Sequence, residues 1–142
     1  MRIRRAGPAD EPRIREIAAQ SKGYWGYDEE RLREWATRLD LTREIWLAEE
    51  DGEPIGWLAL LPPEDGVVEL DDLWVDPAAI GRGVGTELFR FACDRARERG
   101  GRALRCEAEP NAVGFYERMG AATIGTARSS WGRRNPVMRV EL

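Results

Sequence analysis

The stretch that most constrains the fold is Leu73 to Gly101, LWVDPAAIGRGVGTELFRFACDRARERGG. Its β-like opening closes at Asp76-Pro77, because proline cannot continue a hydrogen-bonded ladder. Three glycines follow, Gly81, Gly83 and Gly85, and then residues 84 to 99 read as the clearest helix of the chain. On that helix Val84, Leu88, Phe91, Ala92 and Ala96 share a face, while Glu87, Arg90, Asp94 and Arg97 face water. Gly100-Gly101 stops it. Strand, glycine-broken turn and amphipathic helix in direct succession make the building unit of a sheet covered by helices.

The flanking sequence extends this pattern. RIRR (2–5) reads as a first strand; a helix follows with Asp10 as N-cap, Pro12 in the first turn and Ile14, Ile17 and Ala18 as its apolar face. Asp28 caps a second helix with Leu32, Trp35 and Leu39 on one stripe. Asp51-Gly52 joins two β-like runs as a hairpin, and VVELDDLWV is a further strand. Residues 102–109 read as a strand, 111–119 as a short helix, and the remainder as two strands around a loop at Gly132 to Pro136. The expected order is β-α-α-β-β-β-α-β-α-β-β. With no repeat or linker, residues 1–142 are expected to form one α/β (α+β) domain with a mixed sheet of about seven strands and about four helices.

Composition removes several chemistries. The 142 residues contain no histidine, which excludes Ser-His-Asp and Cys-His catalysis, and with two cysteines no zinc site is expected. Cys93 and Cys106 are expected to pack as small hydrophobes in a reducing cytosol rather than as a disulfide framework or a nucleophile. A net charge of −4 argues against a nucleic-acid footprint, and no apolar run is long enough for a membrane span or a secretory signal. A cytoplasmic protein is therefore expected. Any proton transfer must use carboxylates, tyrosine, lysine or water.

Glycines before a helix let backbone N–H groups approach an anion, and the helix dipole adds to the attraction. Taken alone, the cluster could equally be a turn and a cap. Its context is more specific. Leu73-Trp74-Val75-Asp76-Pro77, then Gly81-Arg82-Gly83-Val84-Gly85-Thr86, then Asn111, Phe115-Tyr116 and Met119-Gly120 resemble the signature regions of the GCN5-related N-acetyltransferases (GNAT superfamily). The resemblance covers both signature regions, and the element order extends it over most of the chain.

That resemblance implies acetyl transfer from acetyl-CoA to a primary amine of a small molecule or peptide, by direct attack in a ternary complex and without a metal. It implies that the backbone of Leu73, Trp74 and Val75 pairs with the pantetheine arm of acetyl-CoA. Gly81, Arg82, Gly83, Val84, Gly85 and Thr86 would hold the pyrophosphate, Asn111 the pantetheine arm, and Tyr116 would protonate the departing thiolate. Ile80 departs from the Gln or Arg that usually opens the family's phosphate loop. The base is open between Glu69, which resembles the base of histone-acetylating relatives, Asp71 and Asp72, with Glu109 and Asp28 as weaker candidates; all are equally readable as solvated charges. Strand alternation places Glu69, Asp71 and Leu73 on one face, and a bulge would favour Asp72. The alternative to an enzyme is a non-catalytic acyl-CoA-binding or sensing module of the same fold. Dimers are frequent in the family, but nothing in the sequence identifies an interface.

Two stretches bear on the acceptor. SKGYWGY (21–27) holds the only lysine of the chain, Lys22, with Tyr24, Trp25 and Tyr27. In the family the connection between the first two helices borders the acceptor pocket, so these four residues are expected either to wall it or, for Trp25, to plug the core. Lys22 is expected to meet a substrate acid, a CoA phosphate or a carboxylate such as Glu29. Arg133 and Arg134 are expected either to grip a carboxylate or phosphate or simply to be solvated.

Overall fold

The computed structural model of the chain describes residues 1–129 and 131–142. Strands β1 (Arg2–Arg5), β2 (Glu44–Glu50), β3 (Glu53–Leu60), β4 (Val67–Val75), β5 (Ala103–Glu107), β6 (Ala122–Arg128) and β7 (Arg134–Glu141) alternate with helices α1 (Glu11–Gly23), α2 (Glu29–Thr37), α3 (Val84–Glu98) and α4 (Val113–Arg118) in the expected order. The strands form one open, mixed sheet in the order β1-β2-β3-β4-β5-β7-β6. The chain divides into two compact units, Met1–Leu60 with Asp72–Arg90, and Leu61–Asp71 with Phe91–Leu142.

In the first unit β1, β2 and β3 pair antiparallel, with Ile3 opposite Ala48 and Leu47 opposite Trp57. Asp51 (φ 52°) and Gly52 (φ 80°) make the tight left-handed turn that the Asp-Gly pair foretells. The apolar face of α1 (Ile14, Ile17, Ala18) covers Ile45 and Leu47 of β2 and Trp57 and Ala59 of β3. Trp57 is completely buried, and its indole N–H donates to the Ile14 carbonyl at 3.0 Å, so the largest core side chain leaves no polar atom orphaned. Asp28 caps α2 as expected, its Oδ2 accepting from the Arg31 N–H at 3.0 Å.

Asp10 occupies the cap position of α1 but makes no side-chain cap. Its carboxylate takes two 2.9 Å hydrogen bonds from Arg4 and one of 2.7 Å from the Gly7 N–H. A bidentate guanidinium outcompetes a helix N–H for the same oxygens. Arg13 of α1 reaches Asp76 at 2.5 Å and the Pro54 carbonyl at 3.2 Å, tying the helix to the exit of β4. At Gly56 a Cβ would lie 3.0 Å from both Leu88 Cδ1 and the Trp74 carbonyl, so glycine is what lets α3 seat closely on the strands.

In the second unit β4 runs parallel to β5, and β5 pairs with β7 and β7 with β6, both antiparallel. Val68, Leu70, Ala103, Leu104 and Met138 are buried. A Cβ at Gly101 would sit 2.8 Å from the Ala96 carbonyl and 2.9 Å from Val68 Cγ2, a close approach that fixes the turn from α3 into β5.

Three expectations need correction. On α3 the buried face is Val84, Leu88, Phe89, Ala92, Cys93 and Ala96, whereas Phe91 is half-buried at its margin. The stripe at i, i+4, i+5, i+8 and i+9 is wider than a single ridge and includes Phe89. The strand expected over 102–109 ends at Glu107, and a short 3-10 turn at Pro110–Ala112 precedes α4. Arg134 to Pro136 already belong to β7; the turn before it uses Gly132 (φ 76°) and a Ser129 N–H to Arg133 carbonyl bond of 2.8 Å.

Candidate active site

In the first unit β4 ends where the Asp76 N–H bonds the Ile55 carbonyl at 2.8 Å, and a 3-10 turn at Pro77–Ala79 leads into the glycines. Gly81 has φ 83° and Gly83 φ 81°, and nothing lies within 4 Å of a Cβ built on either. Glycine is therefore demanded here by backbone conformation and not by crowding. The Glu87 N–H reaches the Gly83 carbonyl at 3.1 Å. The N–H groups of Val84, Gly85 and Thr86 belong to the helix's first turn, which offers them no intrahelical acceptor. The loop thus presents N–H groups and the positive end of a 15-residue helix to the same side, a ready cradle for a phosphate. Arg82 is exposed beside it and ion-paired with Glu50, and Ile80 is also exposed.

The neighbouring segment of β4 is held by side chains that the sequence did not reveal. Arg43 donates to Asp72 Oδ2 at 2.6 Å, and the Trp74 indole donates to Asp72 Oδ1 at 2.8 Å. Both members of the ion pair are about nine-tenths buried, at 9% and 11% side-chain exposure. Arg43 is itself fixed by a 2.6 Å bond to the Asp40 carbonyl. Each Asp72 oxygen therefore accepts a hydrogen bond, an arrangement suited to anchoring Trp74.

The stretch 21–27 is only partly the loop it was expected to be. Ser21 to Gly23 form the last turn of α1, and Lys22 is buried, with 8% of its surface exposed. Its Nζ lies 4.5 Å from the Tyr27 ring centroid, 5.2 Å from that of Trp35 and 5.6 Å from that of Trp74. A cation over three aromatic faces is stabilised by their quadrupoles, which offsets part of its desolvation. Trp35 and Trp74 also meet edge to face at 5.4 Å. Glu29 accepts from Arg33 at 2.7 Å. Trp25 is no core plug: it is 42% exposed and stacks edge-on against the exposed Tyr24 at 4.8 Å.

In the second unit the β4–β5 register runs from Val67↔Ala103 to Glu69↔Arg105. At that last pair Arg105 Nη1 donates to both Glu69 oxygens, at 2.7 and 2.8 Å. Burial pushes the Glu69 carboxyl above its ordinary value, although the Arg105 guanidinium pulls the other way. The next β5 residue, Cys106, is buried, and burial with the nearby Glu69 charge pushes its thiol up to about 12. It is inert as a nucleophile. The Tyr116 hydroxyl hydrogen-bonds Cys106, and the Tyr116 ring is buried edge-on to Phe115 at 5.1 Å. Asn111 donates through Nδ2 to Glu109 at 3.0 Å, and Arg133 Nη1 stands 4.0 Å from the same oxygen. Asp71 is exposed.

The structure thus bonds Glu69 of β4 and Tyr116 of α4 to successive residues of β5, Arg105 and Cys106, and gathers Lys22, Tyr27, Asp72 and Trp74 into one cluster. It leaves Tyr24, Trp25 and Arg82 at the surface. Arg43, Arg105 and Trp35 were missed, because each acts through a partner distant in sequence and carries no local motif. Among the described residues, no group of His, Cys, Asp and Glu side chains is placed to hold a metal ion, and no helix is long and apolar enough to cross a membrane.

Comparison with known proteins agrees with this geometry. Residues 12–121 match the profile of the acetyltransferase (GNAT) family. An uncharacterized N-acetyltransferase of Methanocaldococcus jannaschii is 27% identical over 117 residues, covering 70% of this chain and 51% of its own length. The chain thus spans about half the length of that curated relative. A crystal structure from Rhodopseudomonas palustris, described as a GCN5-related N-acetyltransferase and as a class-II aminotransferase, superposes with TM-score 0.82 at 26% identity, covering 99% of this chain and 95% of its own. The PaiA N-acetyltransferase of Thermoplasma acidophilum, solved in complex with coenzyme A, superposes with TM-score 0.79 at 21% identity over 99% and 98% of the two chains. The chain belongs to the acetyltransferase (GNAT) family.

Proposed function

We propose that residues 1–142 act as one N-acetyltransferase domain that moves an acetyl group from acetyl-CoA to a primary amine of a small molecule or peptide, by direct attack in a ternary complex. The observation that carries this reading is the paired left-handed conformation of Gly81 and Gly83 directly ahead of α3, in a chain of an acetyltransferase family. The coenzyme A bound to the Thermoplasma acidophilum protein supports it. Acetyl-CoA supplies an activated acyl carbon and a thiolate leaving group.

The N–H groups of Gly81 to Thr86 would hold the pyrophosphate, with Arg82 joining them when it leaves Glu50. Backbone groups of Leu73, Trp74 and Val75 would pair with the pantetheine arm. Asn111 commits its Nδ2 to Glu109, so its Oδ1 is the atom that would accept from an amide of that arm.

Glu69 would take the amine proton, directly or through a water, because burial raises its affinity for a proton toward working pH. Tyr116 would return a proton to the departing thiolate from its hydroxyl. Strand alternation directs Arg105 and Cys106 to opposite faces of β5. Glu69 is bonded to the first and Tyr116 to the second, so base and acid would approach the end of the β4–β5 ladder from its two sides. Asp72 is assigned an anchoring role, since it ties Arg43 to the Trp74 indole from a site about nine-tenths buried. Lys22 and Tyr27 would border the acceptor from within, and Tyr24 and Trp25 from the surface. A cytoplasmic location fits this chemistry.

The test pairs a melting experiment with a thiol-release assay. Acetyl-CoA should raise the melting temperature, and thiol should appear only when an amine is supplied. Protection without thiol release from any amine would leave a binding module instead.

A further inference from the structure

The tip of the β6–β7 hairpin carries the sequence Arg128, Ser129, then Trp131 to Arg134, and the chain has no acidic residue between Gly120 and Val140. Register places Arg128 directly opposite Arg134, an arrangement of like charges that cross-strand pairing disfavours. Both are exposed, and among the described residues neither takes part in an ion pair. Several arginines elsewhere, Arg4, Arg13, Arg43, Arg82 and Arg105, each hold a carboxylate, in a protein of net charge −4. The tip is also anchored beside the proposed chemistry. The Ala108 N–H bonds the Pro136 carbonyl at 2.8 Å, and Arg133 lies 4.0 Å from Glu109, on the short connection into α4 and Tyr116.

We infer that Arg128 and Arg134 form an anion-binding fork that selects an acceptor carrying a carboxylate or phosphate beside its reactive amine. The inference rests on the acetyl-transfer reading and deepens it. Two guanidinium groups rooted at one register pair of neighbouring strands can both reach the same ligand, and their charged, planar donors suit an oxyanion better than a neutral amide. An approaching anion would relieve the repulsion between them.

Two matched pairs test it with the full chain: β-alanine against β-alaninamide, and phosphoethanolamine against ethanolamine. The acidic member of at least one pair should be acetylated with kcat/KM about ten-fold or more above its neutral partner. It should also shift the arginine side-chain NMR resonances of Arg128 and Arg134, and the pair that responds separates carboxylate from phosphate. The double variant R128Q/R134Q should bring the ratio to about one without lowering the melting temperature, because both side chains are exposed. Equal kcat/KM within both pairs, or resonances that move only on addition of CoA, would overturn the inference. Absence of transfer to any amine defeats the acetyltransferase reading instead, and the resonance shifts still decide whether the fork binds anions.

Discussion

At the scale of single residues, the proposed chemistry turns on Glu69 and Tyr116. A base must be deprotonated to work, so activity should rise with pH as Glu69 loses its proton. Because burial raises that carboxyl, the acid limb of kcat/KM should lie above the ordinary glutamate range. Arg105 opposes the shift, so Arg105→Gln should move the limb to still higher pH, while Glu69→Gln should abolish it. A limb unmoved by either change would assign the base elsewhere. Lys22 shows the limit of reading single residues from sequence. Its rarity marked it as unusual, but the rings around it come from the α1–α2 connection, α2 and β4, and no local pattern announces such a meeting. Lys22→Ala should lower stability by about 1–2 kcal/mol, through lost cation–π contacts and packing, as measured by urea unfolding. Trp25→Ala should leave stability within about 0.5 kcal/mol, since the ring is half in solvent.

At the scale of elements, most of the fold was legible because its punctuation is local. Asp51-Gly52, Asp76-Pro77 and Gly100-Gly101 close elements by turn chemistry alone, and the alternation or stripe between them sets the type. The misjudged boundaries, at 21–23, 107–109 and 134–136, lie where no such residue acts or where tertiary pairing overrides it. Pro136, for instance, sits within β7 opposite Thr126. The left-handed glycine turn ahead of α3 was legible for the same local reason, whereas the Arg43–Asp72 and Arg105–Glu69 pairs were not, since both join residues far apart in sequence. Two glycines can be told apart by experiment. Gly56→Ala should cost about 1–3 kcal/mol by overpacking α3 against the strands. Gly83→Ala meets open space, so its cost should come from the left-handed backbone, about 1–2 kcal/mol, and it should weaken acetyl-CoA binding measured by calorimetry.

At the scale of the whole molecule, ion pairs between separate elements decide how the protein responds to pH. Arg4 holds the Asp10 carboxyl below its ordinary value. Burial raises the Asp76 carboxyl, but the Ala78 N–H and Arg13 more than offset it, and it too ends low. A carboxyl depressed in the folded state stabilises above its unfolded pKa and ceases to do so as pH falls through the lower folded value. Stability to urea should therefore decline below about pH 4, and Asp10→Asn should flatten that decline. Glu69 contributes with the opposite sign, since a raised carboxyl favours folding as it protonates. The central claim, that acetyl-CoA is bound by the glycine cradle and discharged with help from Tyr116, is tested most directly by one comparison. Thiol release and acetyl-CoA affinity are measured together for the native protein and Tyr116→Phe. The expected result is unchanged affinity with transfer slowed by about 10²–10⁴-fold. Equal transfer rates in the two proteins, or no acetyl-CoA binding by the native chain, would contradict it.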